Sequence, residues 1–517
     1  MRVNRSWTLV FVAVLLLGAA PVAQATEGVA RIDATPVPAG VHAPLHQSEG
    51  TSQAGAAPDI EEALGQRLSY WSVTPFVLIL LSIAIIPLIH GRWWEQNLNK
   101  SVVSFLCALP ILAYLIDQGP LGLEVLVTVL HEYYAFIILL VALFTISGGI
   151  YLEGDLRATP ILNTVFLGIG SVLASVIGTT GAAMVLIRPL LRANSERKHT
   201  THVFVFFIFL VANIGGSLLP VGDPPLFLGY LYGVPFFWTL RALWSAWLTA
   251  TAILLAVFYV WDTYAYSRES PRDKELDRVR ERGIRIHGRI NFLLILGVLS
   301  SVIYLRGYEF ASGTTIDVTW MRQPVMMLLA LVSFAIDHRV RERRRREGHE
   351  HHQTPRDRNR FSFAPMIEVA VLFIGIFITM IPAICLLKAH GAESGITRPW
   401  QFYWMAGGLS SFLDNAPTYA TYFALGQGVT KGLLAGGADL ALVATRTGPI
   451  DWNILVGISL GAVFMGANTY IGNAPNFMVK SICEDAKVRM PSFLGYMLYS
   501  ACILIPTFLL IMAIYVI

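Results

Sequence analysis

From about residue 73 onward, long apolar runs alternate with short polar loops, and no polar interval is long enough to fold separately. Runs of spanning length, about 17 to 25 residues, fall near 73–90, 102–118, 133–151, 238–262, 290–306, 321–337, 364–388 and 492–517. Four further stretches are apolar but interrupted. Residues 161–191 and 399–427 break in the middle at Gly, Thr, Asp, Asn and Pro, whereas 202–235 and 452–478 break nearer one end. In lipid, irregular backbone is tolerated only where it is buried in protein or lines a cavity. The pattern therefore predicts an all-α polytopic membrane protein of about 10 full spans, with its site at the four breaks.

The N-terminus reads differently. Arg2 and Arg5 precede an apolar run, Leu9 to Ala20, followed by Ala23-Gln24-Ala25, the small-x-small form of a cleavage site. Residues 1–25 are expected to be a signal peptide. Residues 26–69, rich in Ala, Pro, Gly, Ser and Gln, are expected to be a flexible extracytoplasmic tail, leaving 70–517 as one membrane domain.

Composition supports lipid as the main partner. Only 14% of the 517 residues are charged, against roughly 25% in a soluble domain. The net charge of +4 sits in short loops between apolar runs, which fits membrane orientation and gives no reason to expect nucleic acid. Cys107, Cys385, Cys483 and Cys502 are scattered without CxxC spacing, so neither a disulfide framework nor zinc is indicated.

With the tail outside, the positive-inside rule assigns Arg92, Lys100, Arg192, Arg197, Lys198, the stretch Arg268 to Arg289 and the run Arg339 to Arg360 to the cytoplasmic face of a bacterial-type inner membrane. The count closes only if 161–191 and 399–427 are re-entrant hairpins opening from opposite faces. Span, span, hairpin, broken span and span then occupy about 102–262, and the same order recurs in reverse orientation over about 321–517. Local sequence agrees. Ser175-Val-Ile-Gly-Thr179-Thr180-Gly-Ala aligns with Ser410-Ser-Phe-Leu-Asp414-Asn415-Ala-Pro, and Val221-Gly222-Asp223-Pro224-Pro225 aligns with Ile471-Gly472-Asn473-Ala474-Pro475. Inverted repeats with discontinuous helices are the architecture of secondary transporters, whose sites lie at the repeat interface.

The breaks carry the candidate chemistry. Asp414 lies in Ser410-Ser411-Phe-Leu-Asp414-Asn415-Ala-Pro417-Thr418 with no Lys or Arg beside it. A carboxylate in apolar sequence must bind a proton, bind a cation or pair with a base; alternatively, Asp414 only caps a half-helix. Asp223 follows Asn213-Ile-Gly-Gly-Ser217 and precedes two prolines that withhold amide donors, leaving carbonyls free for a cation, although Asp before Pro-Pro is also a plain turn former. Asn213 with Ser217, and Thr418 with Tyr422, are spaced to share helical faces. Thr179 and Thr180 in the first hairpin, and Asn468, Thr469, Asn473 and Asn476 in the second broken span, offer hydroxyls, amides and backbone to sodium or to a carboxylate. Sodium is expected to be held through Asp414, Asn415 and Asp223.

Other signals are weaker. His131-Glu132 is not an HExxH zinc motif, because Ala135 stands at the fifth position. His349, His351 and His352 lie in an arginine-rich loop, and Glu368 in an apolar span suits either a proton relay or an interface. No nucleophilic cluster and no phosphate loop is present, so neither an enzyme nor direct ATP drive is expected, and no cofactor beyond sodium ions and protons.

At its motifs the chain resembles the ion transporter superfamily of NhaD-type sodium/proton antiporters, arsenite permeases, citrate transporters and the melanosomal P protein. Asn213-Ile-Gly-Gly-x-x-x-x-Val-Gly-Asp-Pro-Pro225 is similar to the broken-helix signature of the P protein and arsenite permease branch, and Ser411-Phe-Leu-Asp414-Asn415-Ala-Pro417 to the Asp-Asn-x-Pro hairpin of the NhaD type. The resemblance covers about 75–517. It implies paired hairpins, a sodium or substrate site at their tips, a homodimer and an elevator-like motion. The departures are Leu226, where relatives often have Asn, and Asn-Ala-Pro-Asn476, where they often have Gly or Ser. Two acids at the breaks without a matching base favour a cation, so a sodium/proton antiporter leads; sodium-coupled citrate or dicarboxylate transport follows, then arsenite efflux.

Overall fold

The computed structural model describes residues 59–517 except 95, 281, 310–314 and 347–352. The expected signal peptide and the three loop histidines lie outside the described residues. Eight helices among the described residues are long and apolar enough to cross a membrane, with shorter apolar helices at Thr201–Ser217, Ile290–Tyr304 and Trp452–Asn468. The chain is an all-α polytopic membrane protein. Its peripheral helices turn apolar side chains outward, as Leu81, Ile85, Phe105 and Leu109 do. A surface this greasy is stable only against lipid or another apolar partner.

Two helices make the centre: Pro120–Gly148 and Ala364–His390. They run antiparallel: Phe144 packs on Phe361, just before the second helix begins, with ring centroids 5.1 Å apart, Phe136 stacks on Phe373 at 5.2 Å, and Glu132 lines one cavity with Lys388 near the second helix's end. The sequence reading starts the third span near 133, but the helix begins at Pro120. Pro fits the first turn of a helix, whose N–H groups lack intrahelical partners, and Glu124, His131 and Glu132 interrupt the apolar pattern without interrupting the helix.

Pro160–Ile177 and Thr179–Ala193 form the first hairpin, turning at Gly178 with φ +80°. Its two ends meet: the amides of Asn163 and Asn194 donate to each other's oxygens at 3.0 and 3.1 Å. Arg197 and His202 complete this root by converging on buried Asp262. Pro160–Ile177 is long enough to cross a membrane yet is one arm of a returning hairpin, so length alone misreads it. Pro399–Ser410 and Asn415–Ala435 form the second hairpin.

The two hairpins enter from opposite ends of the molecule. Arg188, near the root of the first, donates to the Asn359 carbonyl just before Ala364–His390 begins. Where that helix ends, Gly391 and Ala392 pack on Gly428 and Gly432 of the second hairpin. At about 1.5 Å per residue, the two contacts are about 40 Å apart along the helix.

One boundary moves. The tail expected to reach residue 69 instead contains a helix, Ile60–Gly65, seated on Ala364–His390. Its acidic residues are drawn out of the low-complexity pattern by basic partners, Lys388 and Lys431.

Candidate functional site

Each hairpin tip is locked to a broken span of its own half. The first broken span runs through helix Thr201–Leu210, a short turn Ile214–Ser217 and helix Pro224–Leu231; the second runs through Trp452–Met465, Gly466–Asn468 and Ala474–Asp485. In the first half, the Thr179 N–H donates to the Gly222 carbonyl at 2.8 Å and Ser175 Oγ donates to the Gly215 carbonyl. In the second, Ser410 Oγ donates to the Ala462 carbonyl at 2.6 Å and Thr469 Oγ1 donates to the Ser411 carbonyl. The glycines repeat the correspondence. A Cβ on Gly222 would lie 2.2 Å from the Gly216 carbonyl and 3.0 Å from Ser175 Cα, and one on Gly472 would lie 2.5 Å from the Gly466 carbonyl and 2.7 Å from that of Ser410. These are the pairs that the sequence alignment of the halves matches.

The halves meet at Asp223. Its carboxylate is 1% exposed and accepts hydrogen bonds from Thr179 Oγ1 at 3.0 Å, Asn415 Nδ2 at 2.5 Å and Asn473 Nδ2 at 3.2 Å. One donor comes from each hairpin tip and one from the second broken span. Asn213 extends the cluster by donating to Asn476 Oδ1 at 2.7 Å, and Asn476 donates in turn to the carbonyls of Gly466 and Thr469, each at 2.9 Å. All the donors to Asp223 are neutral, and no ion pair involves it among the described residues. Two buried amide oxygens at the breaks, Asn415 Oδ1 and Asn468 Oδ1, have no hydrogen-bond partner.

Asp414 takes a different place from the one its motif suggests. It is partly exposed and caps Asn415–Ala435, its Oδ1 accepting from the Ala416 N–H at 3.2 Å. The capping alternative is thus what this side chain does here, and the central carboxylate is Asp223. Ser217 and Thr418 bond only to local carbonyls, those of Ile214 and Asp414. Asn213 and Ser217 do not share an α-helical face, because the backbone turns into a 3₁₀ segment at Ile214. Thr180 is half-buried beside the tip. Asn468 Nδ2 donates to Ser411 Oγ at 2.9 Å, tying both residues to the second tip. Glu368 pairs with Lys100 at 2.7 Å, away from the breaks. Sequence reasoning left Ser175 and Ser410 off the site, although each stands first in the matched hairpin motifs.

A pair of hairpin tips and two broken helices converging on polar groups within an apolar body suits a translocation site better than a reaction centre. The family model described as "Putative citrate transport" matches residues 65–516, which include both hairpins and both broken spans. The chain belongs to this family. It is a membrane transporter of the citrate-transporter-like kind, within the superfamily its motifs resemble. No curated protein matches the sequence.

Proposed function

We propose that the chain is a secondary active transporter exchanging sodium for protons, with Asp223 as the carboxylate that both ions share. The observation carrying this reading is a buried carboxylate surrounded by neutral donors only. Removing an ion from water costs several kcal/mol unless an opposite charge repays it. With no Lys or Arg at the cluster, a proton or a metal cation is the partner left for the carboxylate.

The amides suit either occupant. Asn415 and Asn473 donate to an ionised Asp223, while the free Asn415 oxygen can accept from a protonated one or coordinate sodium. Gly216 and Gly466 add carbonyls at the two breaks, and a hard cation prefers such oxygen ligands. Asp414, at the tip of the second hairpin, supplies a second negative charge. Alternating access would follow from exposing this one cluster first to one side and then to the other.

The family match favours a second reading: sodium-coupled uptake of citrate or a dicarboxylate, with Asp223 holding the ion and the Asn and Thr groups holding the organic anion. Purified protein in liposomes carrying a pH-sensitive dye separates the two. Antiport predicts proton flux driven by a sodium gradient without any carboxylate, lost in Asp223→Asn. Labelled citrate uptake that needs sodium, with no sodium-driven proton flux in its absence, would replace the first reading by the second.

A further inference from the structure

The helices Pro224–Leu231 and Asn415–Ala435 both start at the Asp223 cluster, and a second polar assembly lies beside their far portions. Lys388 sits there with 5% of its side chain exposed. Its ammonium donates to Asp59 Oδ2 at 3.1 Å, to Glu61 and to the Thr447 carbonyl at 3.2 Å. Lys431 of the second hairpin pairs with Glu62. Three carboxylates on a four-residue stretch, Asp59-Ile60-Glu61-Glu62, thus occupy two lysines. Beneath Lys388 a cavity is lined by Glu61, Glu132, Tyr232, Gln427 and Thr447, with an apolar wall that includes Phe377 and Phe423. Arg446 approaches Glu132 at 3.5 Å.

We infer that Lys388 and Lys431 form a binding site for small polycarboxylates, which the acidic stretch 59–62 occupies as an internal competitor. A buried ammonium needs an anion beside it. Without the acidic stretch, Lys388 and Lys431 lose the carboxylates they pair with, and Arg446 adds a positive charge beside Glu132, so the space left by residues 59–62 becomes an anion site. The competitor offers three carboxylates within one helical turn, and a compact di- or tricarboxylate likewise carries two or three such groups in one small ligand. A monocarboxylate offers only one such group. The site lies apart from the Asp223 cluster and does not depend on which ion is exchanged there.

The test is citrate binding to the full chain in detergent, at fixed sodium and pH, with acetate as the monovalent control. Asp59→Asn, Glu61→Gln and Glu62→Gln together should tighten citrate binding about tenfold or more, with no comparable gain for acetate. Adding Lys388→Met to that triple variant should remove the gain, whereas adding Asp223→Asn should not. If the triple variant does not fold, Glu62→Gln alone should give a smaller gain that Lys431→Met cancels. Citrate binding unchanged by these neutralisations, or a gain that survives loss of the lysines, overturns the proposal.

Discussion

At the scale of single residues, two aspartates that look alike in the sequence differ in environment. Asp223 is enclosed and takes donors from both halves of the chain, whereas Asp414 is partly exposed and bonds its own helix. Charge and cap can be separated at Asp414, because Asn caps a helix about as well as Asp, while Ala costs about 1 kcal/mol. Asp414→Asn is expected to keep the thermal stability of the wild type and to slow sodium-driven proton flux at least tenfold. Asp414→Ala should lower stability as well. Full exchange in the Asn variant would reduce Asp414 to a cap. The motifs pointed to both aspartates; what they could not give is the contact between Asn415 and Asp223, which are 192 positions apart. Nothing local encodes such a partner.

Among elements, the broken spans depend on close approach of backbone to backbone. Gly222 and Gly472 each sit where a methyl group would run into a carbonyl six residues earlier and into the neighbouring hairpin. Gly457 and Gly461 do the same along Trp452–Met465, facing the carbonyls of Pro399 and Tyr403. Overpacking of this kind typically costs 1–3 kcal/mol. Gly222→Ala and Gly472→Ala are therefore each expected to lower the melting temperature in detergent and to impair transport, whereas Gly408→Ala, with open space at its Cβ, should do neither. Equal melting temperatures for all three would contradict this packing. The apolar runs and their interruptions made the hairpins and breaks legible in the sequence. Boundaries set by partners far away in the chain were not legible: helix Ile60–Gly65 owes its place to Lys388 and Lys431, and Pro120–Gly148 continues through Glu132 because Arg446 and the surrounding core accommodate it.

For the whole molecule, the opposed hairpins make orientation the next question. By the positive-inside rule, the loop charges lead us to expect residues near 350 on the cytoplasmic side and those near 437 outside. Of the native cysteines, Cys385 and Cys483 are buried, so replacing Cys107 and Cys502 leaves a quiet background for labelling. In that background Arg339→Cys should react with an impermeant maleimide only from the cytoplasmic side, and Ala435→Cys only from outside. The opposite pattern would invert the assignment without disturbing the antiparallel relation of the halves.

The central claim is that one buried carboxylate, Asp223, is shared by two competing cations. Its most direct measurement is the apparent sodium constant of exchange as a function of pH, with and without citrate, in wild type and Asp223→Asn. Competition means that each fall in pH raises the apparent sodium constant, and the variant should lose both the exchange and this dependence. Citrate should leave the constant unchanged. A sodium constant indifferent to pH but lowered by citrate would contradict the account, because ligands that bind together strengthen each other reciprocally.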